Sequence, residues 1–226
     1  MTQESTETVE DRLQKALEAE SASARLQTAM AAGLRPKSAY IDSLVDRFGV
    51  EPDFFVRDTL TWALIQHDRS LTLERVLPEL RSPIPQARAQ ALHTLSKLGD
   101  PRAWPAITTD LLQDPEDEVA RTAWRAAANL VPPDDAAALA GVLATQFNRG
   151  DRATQRSLSR ALARLGDASA AVVQRAQRHR SAGVRTHAVA TERLIKNPDE
   201  GFDLAIAAAQ RIVGLRGAPL VGDVEQ

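Results

Sequence analysis

Four arginines are the residues best placed to do chemistry. Arg121 and Arg125 stand two and six residues after Val119, and Arg156 and Arg160 hold the same offsets after Thr154. At ~100° per residue both offsets fall on the side of a helix away from its apolar stripe. Corresponding positions on stacked helices lie ~10 Å apart, so the four predict a compact cationic square with Trp124 beside it. The same offsets in neighbouring segments add Trp62, His93 and Asp58 further along. Trp62 is expected to be covered by the N-terminal helices, since an exposed Trp beside Phe54 and Phe55 would leave a sticky edge. The planar guanidinium fork binds carboxylate or phosphate in bidentate fashion. The square would therefore suit an acidic peptide, a phosphate or a nucleic acid. The competing expectation is that these arginines are solvated and pair with Asp114, Asp117 or Asp151, each exposed pair contributing only ~0–1 kcal/mol.

Other chemistry finds few residues to carry it. There is no cysteine, which removes disulfides, thiolate catalysis and cysteine-ligated metals. The histidines His67, His93, His179 and His187 form neither a His-x3-His pair nor an HExxH run. No Gly-rich phosphate loop, GxSxG elbow or SxxK motif occurs. The acidic run Asp114, Glu116, Asp117, Glu118 lacks Ca²⁺-loop spacing and reads as a turn leading into a helix N-terminus. The expectation is a non-enzymatic protein with no cofactor and no metal.

Charge is uneven. Residues 1–148 carry a balance of −7, residues 149–196 a balance of +8, and the last 30 a balance of −3. A pI near 6.1 weighs against a general nucleic-acid coat, while the positive segment can still attract an acidic partner locally. The longest uncharged stretch, 136–148, has 13 residues, too short to cross a bilayer. The polar, acidic start MTQESTETVEDR resembles no signal peptide, so a cytoplasmic location is the default expectation.

The elements that must position these residues are helices. Five segments align without gaps, starting at Val56, Ala87, Val119, Thr154 and Val184. In each, small or apolar residues recur at offsets 0, +4, +7 or +8, and +11, one stripe of an α-helix. A second helical pattern precedes each, and Gly-Asp, Asp-Pro and Pro-rich turns punctuate them. Pairs are expected over 38–67, 71–98, 101–130, 134–165 and 168–196, with capping helices over 8–32 and 199–213. The tails 1–7 and 214–226 are expected to be flexible. A pair of ~30 residues cannot bury its own stripe, and stacking on neighbours does so. The fold class is all-α, a right-handed α-solenoid of about five helical hairpins.

Gly99 to Leu130, GDPRAWPAITTDLLQDPEDEVARTAWRAAANL, resembles a HEAT repeat, in particular the short type named after phycobilin lyases. The resemblance is close over 82–131 and extends in period over about 35–198; it departs at Ala120-Arg121 and in the Arg-rich fourth segment. It implies that the second helix of each pair lines a concave side, which would place the arginines there. It also implies that Arg57, Arg88 and Arg185 tie adjacent pairs through turn carboxylates. Three functions follow as expectations. The first is a protein-interaction scaffold holding an acidic or amphipathic segment of a partner. The second is a nucleic-acid binder similar to the alkylpurine DNA glycosylases, and the third a bilin-lyase-like protein.

Overall fold

Residues 8–216 are described in the computed structural model, and every regular element among them is helical. The helix starts follow local chemistry. Helix α1 (Val9–Leu17) opens with a capping box between Thr8 and Asp11, and α2 (Ala22–Leu34) is capped by Ser21. After α3 (Tyr40–Asp46), Asp53 accepts from the Phe55 and Val56 N–H groups at the start of α4 (Phe54–Gln66). Asp68 does the same for α5 (Arg69–Val76). Pro85 opens α6 (Pro85–Leu98), where its missing N–H costs nothing, and Gly99 at φ 64° closes it.

The third pair departs from the helix expected at 101–113. Pro101 and Pro105 leave a 3₁₀ turn (Pro101–Ala106) and a one-turn helix α7 (Thr109–Leu112), because proline removes a donor and clashes with the preceding turn. Helix α8 (Asp117–Leu130) follows the Asp114-Pro115 turn. The remaining elements are α9 (Ala136–Ala144), α10 (Arg152–Arg164), α11 (Asp167–Ala176), α12 (Ala182–Lys196) and α13 (Phe202–Arg216).

The chain divides between Ala126 and Ala127 into two compact units. In the first, α1 packs on α3 and α3 on α5, while α2 packs on α4 and α4 on α6. First helices thus form one layer and second helices another, the pairing that defines an α-solenoid. The segment expected as a cap over 8–32 is itself a helical hairpin. Its Leu13 and Leu17 are buried, while Met30 is exposed. In the second unit α9 packs on α11 and α10 on α12. Helix α13 closes α12 through Phe202, Ala205, Ile206 and Ala209. That helix continues to Arg216, so residues 214–216 are helical; the tails 1–7 and 217–226 lie outside the described residues.

The apolar stripe read from the repeat is buried in place: Val56, Leu60 and Leu64 on α4, Ala87, Ala91 and Leu95 on α6, Leu158 and Leu162 on α10. A polar ladder runs alongside it. The Gln90 amide nitrogen donates to the Arg57 carbonyl at 2.8 Å and to the Thr61 hydroxyl at 2.7 Å. The Thr61 and Thr94 hydroxyls lie 2.9 Å apart. In the second unit His187 Nε2 lies 2.9 Å from the Gln155 carbonyl and 3.0 Å from the Ser159 hydroxyl, which is 2.7 Å from that of Thr191. Counted from the segment starts, the two ladders use the same offsets: +3 to +1 and +5, then +5 to +7. Each rung bonds across to the neighbour repeat, so the ladder specifies register as well as contact.

Arg57, Arg88 and Arg185, all at offset +1, share a second device. Each donates through Nη1 to carbonyls of the turn before its own helix: Glu51 and Pro52, Ser82, and His179 and Arg180. Arg88 also pairs with the Asp114 carboxylate. Tying adjacent pairs through a turn carboxylate thus applies to Arg88.

Candidate functional site

Three second helices of the first unit, α4, α6 and α8, line a groove of about 150 Å³. Asp58 comes from α4, Gln86, Gln90 and His93 from α6, and Glu118, Thr122 and Arg125 from α8; Phe54 forms one lip. The +6 and +2 offsets meet here as the sequence suggests for Asp58, His93 and Arg125. His93 Nε2 stands 3.5 Å from Asp58 Oδ1. Burial depresses the His93 pKa, and the charges of Arg125 and Lys97 act in the same direction against the opposing pull of Asp58. The imidazole is therefore neutral at physiological pH and leaves the Asp58 charge in place.

Trp124 does not belong to an open face. Its side chain is fully buried, and Nε1 donates to the Leu112 carbonyl at the end of α7 at 2.8 Å. Offset +5 is a packing position in every segment, since Thr61, Leu92, Ser159 and Val189 are buried as well. A helix flank packed inside the repeat array cannot also meet a ligand.

Trp62 is half-buried for a different reason. An added Cβ at Gly33 of α2 would come within 2.5 Å of the Trp62 ring and 2.9 Å of the Ala63 Cα. The ring is therefore covered by the N-terminal hairpin rather than presented to a partner.

The arginines divide between the units. Arg121 is half-buried, and its Nε has no hydrogen-bond partner among the described residues. In the second unit Arg156 pairs with Asp203 at 3.0 Å and lies over the Phe202 ring. Arg160 is exposed and lines, with Arg156, Leu194 and Phe202, a pocket of about 510 Å³ that also contains Asp199, Glu200 and Asp203. That pocket is mixed in charge rather than cationic. Arg164 donates to the Ala128 carbonyl, so the arginine stripe of α10 is not a uniform solvated face.

Sequence reasoning missed Gln86, Gln90, Glu118, Thr122 and Phe54. Gln90 carried a usable signal: a long polar side chain between Ala89 and Ala91 on an otherwise small-residue helix face. Phe54 and Phe55, exposed by 64% and 69% at the start of α4, are the largest apolar side chains left open in the first unit. No cluster of three or more metal-ligating side chains occurs among the described residues, and no helix among them is long and apolar enough to cross a membrane.

The fold and its face define a helical-repeat protein of the α-solenoid class. Residues 73–159, covering the end of α5 through the middle of α10, match the family model for HEAT repeats, and the chain carries HEAT repeats there. Among solved structures, it is similar to the complex of CpcE and CpcF of phycocyanin lyase from Nostoc sp. PCC7120. The TM-score is 0.36 at 16% identity, with 94% of this chain and 97% of that chain covered. No curated protein matches it by sequence.

Proposed function

We propose that this protein is a non-enzymatic interaction scaffold that holds an extended segment of a partner protein against the second helices of its first unit. The observation that carries this reading is the α4–α6–α8 groove, where side chains of three successive repeats converge beside the exposed Phe54 and Phe55. Exposed aromatics next to fixed polar groups are the composition of an interaction hot spot. The groove is narrower than a drug-sized pocket, which suits side chains of a peptide better than a substrate. An acidic partner segment, as suggested by arginine spacing, would meet the carboxylates of Asp58 and Glu118 at this groove, which disfavours it there.

Affinity purification from the native cell tests the reading. The chain should retain a defined partner that is lost with Phe54→Ala combined with Phe55→Ala and kept with Arg160→Glu. Retention of the same partner by a correctly folded Phe54→Ala/Phe55→Ala variant would refute it.

A further inference from the structure

We infer that the α4–α6–α8 groove receives a basic side chain of the partner segment, arginine in preference to lysine; the inference rests on the reading of this face as the partner-contact surface. What decides the ligand is the hydrogen-bonding capacity that the groove has left over. Its two lining cations are engaged. The Arg57 guanidinium donates to the Glu51 and Pro52 carbonyls at 3.0 and 2.9 Å and lies over the Phe54 ring, and Arg125 also has a partner.

Its acceptors are open. The Gln86 amide nitrogen donates to the Phe48 and Glu51 carbonyls at 2.8 and 2.9 Å, and that of Gln90 to the Arg57 carbonyl and Thr61. Carbonyl partners fix which end of each amide is nitrogen, so both Oε1 atoms are left without a hydrogen-bond partner among the described residues. Gln90 is 8% exposed, a side chain locked in place with its acceptor uncommitted at the groove wall. Among the described residues the Asp58 carboxylate has one ion-pair partner, His93 at 3.5 Å, and Glu118 is exposed at the opposite wall. Thr122 spends its proton on the Glu118 carbonyl, leaving another acceptor.

An incoming carboxylate would find two like charges, and cations that already hold other partners. An incoming guanidinium finds two carboxylates and two oriented amide oxygens, and can satisfy several at once with its planar donors. Lysine offers one charge centre and less geometric fit, which sets the preference.

The test uses the full chain labelled with ¹⁵N, titrated with N-acetyl-arginine methylamide and with its lysine and glutamate counterparts. The arginine probe should shift the Gln86 and Gln90 side-chain amide signals saturably, the lysine probe more weakly, and the glutamate probe not at all. Loss of two charged acceptors should weaken the arginine response by roughly tenfold or more in Asp58→Asn/Glu118→Gln, with backbone signals away from the groove unchanged. Equal shifts from the glutamate probe, no shift from arginine, or arginine shifts that persist in the double variant would overturn the inference. Partner capture that depends on this face while the arginine probe fails would leave the scaffold reading standing and sink this one. A saturating arginine probe with partner capture indifferent to the face would do the reverse.

Discussion

Replacing His187 with glutamine should remove a pH dependence while leaving the ladder intact. His187 is buried between Phe147 and Phe202, its Nδ1 accepts the Asn148 N–H at 3.0 Å, and Nε2 carries the proton shared with Gln155 and Ser159. A second proton on Nδ1 would face that N–H. Burial, followed by the nearby Arg152 charge, outweighs the Gln155 hydrogen bond and lowers the imidazole pKa from 6.5 to about 4. Because the folded value is depressed, the unfolded chain binds the proton more readily. Stability is then complete above the unfolded pKa and declines as pH falls from 6.5 toward 4. At ~1.4 kcal/mol per pH unit, this one group withdraws ~2 kcal/mol between about pH 7 and about pH 5. His187→Gln places in the second unit the residue that Gln90 already is in the first, so the donor to the carbonyl is kept and the titration removed. Urea unfolding of the native chain and the variant at both pH values measures the difference. The native chain should lose ~2 kcal/mol more than the variant over that interval. Equal losses in both would refute the assignment of the neutral, doubly anchored imidazole.

Three further outcomes follow from the first unit. Glu51 is fully buried and bound by Arg25, Arg47 and the Asp53 N–H; burial raises its pKa but these partners prevail, holding it at about 2. The stability it contributes is present above its ordinary pKa and lost as pH falls through the acid range, and Glu51→Ala should cost ~3–5 kcal/mol by leaving Arg25 buried and unpaired, measured by chemical denaturation. Gly33→Ala should destabilise by ~1–3 kcal/mol and shift tryptophan fluorescence, because the new methyl meets the Trp62 ring. Trp124→Ala should cost ~3–5 kcal/mol in the same denaturation assay and leave partner capture unchanged, as expected of a buried packing residue.

The helices were legible because their signals are local. Apolar offsets, Asp caps and the Gly99 stop mark each element within a turn of its boundary. The first helix of the third pair was not, since a period match outweighed two prolines whose effect is steric. The site was legible in part for a related reason. Offset phase finds the outward positions Asp58, His93 and Arg125, but it cannot tell a flank that meets solvent from one that packs inside the array. Trp124 failed on that distinction, packed against α7 of its own pair, whereas Trp62 packs under Gly33 of the N-terminal hairpin. Gln90 stands out as a polar residue among alanines, but its function as a rung depends on a carbonyl and a hydroxyl 33 and 29 residues away. Arg156 was hidden behind Asp203, 47 positions along the chain.

Photo-crosslinking in the native cell shows most directly where a partner sits. A photoreactive residue at Glu118, beside the groove, should trap one discrete protein, whereas the same residue at exposed Glu74 on α5, in the layer of first helices, should trap none. Equal trapping from both positions, or trapping from Glu74 alone, would contradict a scaffold that works through its second helices.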